Sequence, residues 1–198
     1  GFKIPEVLTV EEIDRIISAV DMDKKEGQRN RAILETLYSC GLRVSELCNL
    51  KLSDLYFEEG FIKVEGKGSK QRLVPISPRA IKEIKYWLTD RSLGKIKKGY
   101  EDYVFLARWG NNISRIMVFH MIKELAEKTG ITKNISPHTF RHSFATHLLE
   151  GGANLRAIQC MLGHESIATT EIYTHIDRNM LRSEIIEHHP RNIKYRKE

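Results

Sequence analysis

Four short segments of the chain place cations, imidazoles or a phenol where a core-building pattern does not need them. In Gly41-Leu42-Arg43-Val44-Ser45-Glu46-Leu47, Arg43 falls at the start of a short helix, where open N–H groups and the helix dipole favour an anion. Read alone, Arg43 and Glu46 are also an ordinary surface pair at i, i+3. Gly66-Lys67-Gly68-Ser69-Lys70-Gln71-Arg72 puts three cations within six residues at a hairpin tip whose turn needs only one glycine. Glycines there let a partner approach the backbone closely, although the segment alone is equally a solvated turn. In Ser136-Pro137-His138-Thr139-Phe140-Arg141-His142, the residues His138, Arg141 and His142 share one helix face just inside the N-terminus. Cations at that end oppose the dipole and need an anion or a compensating acid. The two histidines have metal-ligand spacing, but no carboxylate or cysteine accompanies them in the segment, so no zinc site is expected. The fourth segment is Leu162-Gly163-His164-Glu165-Ser166, with Tyr173 nine residues after the histidine. Singly, these are a cap histidine and a core tyrosine with a polar tip.

The hydrophobic pattern supplies elements to hold these segments. Thr9 and Glu12 have capping-box spacing, with Leu8 and Ile13 at staple positions, so a helix starts near Val10 and turns Ile13, Ile16, Ile17 and Val20 inward. The stretch from Asp21 to Asn30 reads as a loop. A second helix buries Ile33, Leu34, Leu37 and Tyr38 and stops at Gly41, and a short third runs from about Val44 to Asn49. From Asp54 to Ile76 the period falls to two. There Leu55-Tyr56-Phe57, Phe61-Ile62-Lys63-Val64 and Arg72-Leu73-Val74 form a three-stranded antiparallel meander. Ser77-Pro78 open a helix with Ile81, Ile84 and Leu88 inside. Tyr103-Val104-Phe105-Leu106 is a short extended piece, and Ser114 starts an amphipathic helix through Lys128. Ser136-Pro137 open the next helix, with Phe140, Phe144 and Leu148 inward. Asn154 caps another, with Leu155, Ile158 and Leu162 inside, and helical stretches follow over Ser166 to Thr174 and Asn179 to Ile186. The expected class is mainly α with a small three-stranded antiparallel β-sheet (α+β).

Composition narrows the partners. The 198 residues carry 32 Lys+Arg against 26 Asp+Glu, a net +6 at pH 7, with 41% hydrophobic and 29% charged residues. That is the balance of an ordinary soluble domain with a lean toward polyanions. No window approaches the roughly 20 apolar residues of a membrane span, and the N-terminus lacks a signal-peptide layout. Cys40, Cys48 and Cys160 have neither Cys-x-x-Cys spacing nor an even count, which fits a reduced, cytoplasmic setting.

Taken together and in order, Arg43 in Gly-Leu-Arg-x-Ser-Glu-Leu, Lys67 in Gly-Lys-Gly-x-Lys, His138 and Arg141 in His-x-x-Arg, His164 in Leu-Gly-His and Tyr173 in Ile-Tyr-Thr-His resemble the tyrosine recombinase (phage integrase) family, Xer-like branch. The likeness runs from Thr9 to about Asp177. It implies that family's catalytic-domain fold, a double-stranded DNA target site, and strand cutting and rejoining with no cofactor. Arg43 and Arg141 would hold the non-bridging oxygens of one phosphate, their forks matching paired oxygens. Tyr173 would attack in line, leaving a 3′-phosphotyrosyl bond and a free 5′-hydroxyl, with His138 taking the phenol proton. By resemblance Lys67 protonates the departing oxygen, and His164 donates to the phosphoryl oxygens. Glu46 is read as orienting Arg43, and Lys70, Arg72, Arg115 and Lys133 as phosphate contacts.

The same resemblance implies four protomers, alike or mixed, on two DNA sites, linked through residues 179–186, nucleoid-associated, away from any membrane and open to an accessory protein. Residues 1–8 then read as a linker remnant from a missing N-terminal core-binding domain, 9–187 as the catalytic domain and 188–198 as a polar basic tail. Rival readings are a type IB topoisomerase, a non-catalytic DNA-binding regulator and a metal-dependent phosphoesterase. The residues around Arg43 and His164 disfavour the first, and the intact arginines and Tyr173 disfavour the second.

Overall fold

A computed structural model of the chain describes residues 6–163 and 178–191. Helix α1 (Val10–Ser18) starts where the capping box places it. The Thr9 side chain accepts from the Glu12 N–H at 3.1 Å, and Glu12 Oε1 accepts from the Thr9 N–H at 2.9 Å. Leu8, Ile13, Ile16 and Ile17 are buried behind it.

Helix α2 (Gly27–Cys40) begins inside the stretch expected as a loop. The polar residues of its first turn are satisfied by distant parts of the chain. Gln28 Nε2 donates to the Glu83 carboxylate at 2.7 Å, and Arg29 Nη1 to the Leu106 carbonyl at 3.2 Å. Hydropathy alone reads such residues as solvent-facing. From Ala32 to Cys40 the helix is buried on every side, packed between α4 (Pro78–Leu93) and α6 (Pro137–Glu150), and it stops at Gly41 in the left-handed conformation (φ 64°). A five-residue helix, α3 (Val44–Cys48), follows.

The meander is present. Strands β1 (Leu55–Tyr56), β2 (Phe61–Glu65) and β3 (Gln71–Pro75) form an antiparallel sheet in chain order, with Leu55 opposite Ile62 and Val64 opposite Arg72. Residues 103–106 do not join this sheet and make only single bridges, Lys51 with Tyr103 and Leu106 with Asn112. Helix α5 (Arg115–Thr129) is capped by Ser114, and α7 (Leu155–Leu162) by Asn154, whose side chain accepts from Arg156 and Ala157 N–H. Leu155, expected inside, is 53% exposed, because it stands in the first turn on the solvent side of α7. Helix α8 (Arg178–His188) packs on β3 and α7 and buries Leu181 and Ile185.

The polar tail expected from residue 188 is anchored as far as Arg191. His189 and Arg191 are buried: His189 Nε2 donates to the Tyr38 carbonyl at 3.0 Å, and Arg191 pairs with Glu35 at 3.1 Å and with Asp14. Composition pointed to solvent, but α2 carries a fully buried carboxylate, Glu35, that a cation must neutralise. Among the described residues no helix is long and apolar enough to cross a membrane.

Candidate active site

Arg141 stands one turn into α6 and is directed at the ends of two other helices. Its Nη1 donates to the Gly41 carbonyl just past α2, and its Nη2 to the Leu162 carbonyl at the end of α7, both at 2.8 Å. These carbonyls lie at the electronegative ends of their helices, so a cation is the suited partner. Arg43 precedes α3 in extended conformation. Its N–H donates to Glu46 Oε1 at 2.9 Å, and its guanidinium is 3.7 Å from Oε2 with the side chain 31% exposed.

Glu46 is held chiefly by another arginine. Arg72 Nη1 and Nη2 donate to its two oxygens at 2.6 and 3.0 Å, and Arg72 Nε donates to the Met161 carbonyl at 2.9 Å. The two side chains are 8% and 2% exposed, so this is an interior pair. Two expectations change accordingly. Glu46 orients Arg72 first and Arg43 second, and Arg72 is a buried strut instead of a peripheral phosphate contact. The alternation of β3 carried the signal: Arg72 shares a face with Val74 and lies opposite Val64, both buried.

The hairpin and the end of α7 close on the same pair. A Cβ built on Gly66 would lie 3.2 Å from Glu46 Oε2 and 3.3 Å from Arg72 Nη1. Lys67, the next residue, is exposed on the turn that links β2 to β3, a turn closed by Gly66 N–H to the Lys70 carbonyl at 2.8 Å. Gly163 ends α7 with φ 72°, and a Cβ there would meet the Arg72 guanidinium at 3.1 Å. A larger residue is thus opposed by both backbone strain and contact.

Among the described residues, Arg43 and Arg72 thus pair with Glu46, and the charge of Arg141 also acts on it. Burial and the charges of Arg43 and Arg72 push Arg141 down to about 10, against the opposing pull of Glu46, so it stays charged at neutral pH. Burial would raise the Glu46 carboxyl, but the Arg72 contact, the Arg43 N–H and the charge of Arg141 bring it below the usual carboxylate value. Such a basin is short of negative charge, the electrostatic condition that favours binding of an anion.

The remaining candidates are distributed as follows. His138 is exposed on the first turn of α6, its ring edge-on to Phe119 at 6.4 Å. His164 and Tyr173 lie outside the described residues. Lys70 and Arg115 are exposed, at the hairpin and at the start of α5. Lys133 is spent on the N-terminal segment, donating to Glu12 Oε1 at 2.6 Å and to the Val7 carbonyl at 3.0 Å. Among the described residues no three His, Cys, Asp or Glu side chains come together as a metal-binding group.

The chain is similar to known proteins in sequence and in fold. The phage integrase family model matches residues 6–180. The tyrosine recombinase XerD of Staphylococcus saprophyticus is 44% identical over 189 residues, covering 96% of this chain and 64% of the relative. That of Chlorobaculum tepidum is 46% identical over 191 residues, covering 95% and 63%. Among solved structures, XerA recombinase superposes with a TM-score of 0.74 at 35% identity, over 96% of this chain and 67% of that one. XerH site-specific recombinase bound to difH substrate in a pre-cleavage complex gives 0.73 at 30% identity, over 88% and 51%. This chain thus spans less than two thirds of the XerD relatives' length. With the match reaching from the first described residues through the arginine basin and into α8, the chain belongs to the phage integrase family.

Proposed function

We propose that residues 9–187 are the catalytic part of a tyrosine-type site-specific DNA recombinase, which cuts and rejoins strands through a 3′-phosphotyrosyl intermediate without metal or ATP. The observation that carries this reading is the basin in which Arg43 and Arg72 pair with Glu46 while Arg141, held on two helix-end carbonyls, acts on it through its charge, all beside the Lys67 hairpin.

A phosphodiester repels nucleophiles through its own charge. Arg43 and Arg141 hold its non-bridging oxygens and stabilise the charge that grows as the phosphorus becomes five-coordinate. Arg72 and Glu46 position both, one by electrostatic pressure and the other by the hydrogen bond that sets the Arg43 backbone. Tyr173 Oη attacks in line and passes its proton to His138, since a phenol of pKa about 10 is mostly protonated at neutral pH. The P–O5′ bond breaks, and Lys67 delivers a proton to the departing oxygen. His164 donates a hydrogen bond to the phosphoryl group. The phosphotyrosyl ester keeps the energy of the broken linkage, so a 5′-hydroxyl from another strand reverses the step onto a new partner. Four protomers on two DNA sites complete the exchange, and residues 179–186 link neighbours once they leave the seat on β3 and α7 that they occupy within the isolated chain.

The test is covalent trapping on a nicked suicide duplex in EDTA. The wild-type chain becomes attached to the 3′ end, and Tyr173→Phe binds the duplex but forms no adduct. An adduct in Tyr173→Phe, or loss of cleavage in EDTA alone, overturns the mechanism.

A further inference from the structure

The segment between α4 and α5 carries an exposed tryptophan flanked by cations, and the mechanism above does not use it. From Gly94 to Arg115 the chain has five Lys or Arg residues against two carboxylates. Both carboxylates are engaged within the protein: Glu101 accepts from the Gly99 N–H at 2.9 Å, and Asp102 accepts from Ser53 N–H and Oγ at 3.2 and 2.7 Å. Trp109 is 64% exposed, with Arg108 Cζ 5.0 Å and Lys95 Nζ 5.8 Å from its ring centre.

The turn that presents this indole is rigidly built. Lys97 N–H donates to the Gly110 carbonyl at 3.0 Å, Gly110 N–H to Ala107 at 3.0 Å, and Ala107 N–H to Asn111 at 2.7 Å. Any side chain at Gly110 would strike Lys97 N at 2.5 Å. A single exposed ring is ordinary on a protein surface, so the weight rests on the cations packed against it. Cations on an aromatic face are a combination suited to a nucleic-acid backbone: the ring covers sugar and base edges, and the charges meet phosphates.

The position of the turn ties it to the arginine basin. Asn112 Nδ2 donates to the Cys48 carbonyl at 3.0 Å, at the far end of α3 from Arg43. The charge of Arg115 also reaches the Cys48 thiol. Five helical residues rise only about 7.5 Å. The segment that carries Trp109 is therefore tied to the opposite end of the short helix that starts at Arg43.

We infer that Trp109, Arg108 and Lys95 form a second contact with duplex DNA, gripping the backbone that flanks the cleavage point. This rests on the DNA reading of the basin, and the experiment separates the two. The chain has two tryptophans, and the other, Trp87, is 8% exposed with its Nε1 bonded to the Val104 carbonyl at 2.8 Å. Intrinsic fluorescence and its quenching by acrylamide therefore report on Trp109. The 198-residue chain is titrated with a 30-base-pair mixed-sequence duplex, with the matching single strand and with heparin, while anisotropy of the labelled duplex follows binding independently.

The duplex is expected to shield the indole from acrylamide, and heparin to shield it less at equal charge. The double variant Lys95→Ala/Arg108→Ala should flatten the dependence of log K on log salt by about 1.8, two contacts at about 0.9 each. Trp109→Ala should weaken binding of the duplex by about fivefold. Binding by anisotropy with an unshielded indole and an unchanged slope overturns this contact and leaves the basin reading standing. Stronger shielding by the single strand overturns the assignment to duplex. No binding of any duplex overturns both.

Discussion

Glu46→Ala removes the carboxylate that pairs with Arg72 and Arg43, and the size of the effect can be worked out from its surroundings. The Glu46 and Arg72 side chains are 2% and 8% exposed and share two hydrogen bonds of 2.6 and 3.0 Å. Breaking an interior pair from one side costs about 3–5 kcal/mol because the remaining charge stays desolvated, whereas an exposed pair is worth under about 1 kcal/mol. The higher range applies, since Arg72 would then face Arg43 and Arg141 unscreened. For a domain of this length each kcal/mol moves Tm by about 2–4 °C, so Glu46→Ala is expected to melt roughly 6–20 °C lower.

The assay is urea unfolding of wild type, Glu46→Ala, Arg72→Met and the double variant. A coupling energy of about 2–3 kcal/mol is expected, with the double variant more stable than Glu46→Ala alone. The pH dependence follows from the depressed folded-state value of Glu46. Its contribution is complete above the ordinary carboxylate value of 4.5 and is lost as pH falls through the lower folded value. A single-variant cost below about 1 kcal/mol with coupling under about 0.5 kcal/mol would refute the interior-pair argument.

Three further outcomes can be checked. Lys67→Ala should cleave an ordinary duplex poorly but recover on a 5′-phosphorothiolate leaving group, which needs no proton; absence of rescue removes Lys67 from the acid role. Burial holds His189 down at about 4, so the docked tail is fully supported above about 6.5 and weakens as pH falls from 6.5 toward 4. At pH 5 the loss is about 2 kcal/mol, which hydrogen exchange at the amides of His189 and Arg191 measures and which His189→Gln should abolish. Arg191→Ala leaves Glu35 buried with Arg79 at 3.3 Å as its remaining ion pair among the described residues and should cost about 3 kcal/mol in urea unfolding; an unchanged midpoint refutes the anchoring of the tail.

Much of this architecture was legible in the sequence because local rules and tertiary structure agree. Thr9 and Glu12, Ser77, Ser114 and Asn154 cap helices where their side chains predict, and the β2–β3 pairing follows its period-two pattern. The discrepancies share one cause. Gln28, Arg29, Arg72, Lys133, His189 and Arg191 are polar residues satisfied by partners 26 to 177 positions away, such as Arg72 by Glu46 and Arg191 by Asp14. Hydropathy assigns such residues to solvent because it carries no information about distant acceptors. For the basin itself, motif spacing singled out Arg43 and Arg141, but it missed Arg72 as their buried support although strand alternation pointed inward.

Arg72 also constrains how the domain can be recombined with its relatives. Its one side chain pins β3 to α3, 26 positions earlier, and to the end of α7, 89 positions later. A chimaera that imports only the hairpin, or only the α3 segment, would join surfaces fitted to different neighbours. Residues 43–46, 66–72 and 161–163 thus form a single heritable module, to be exchanged together even though the chain encodes them far apart.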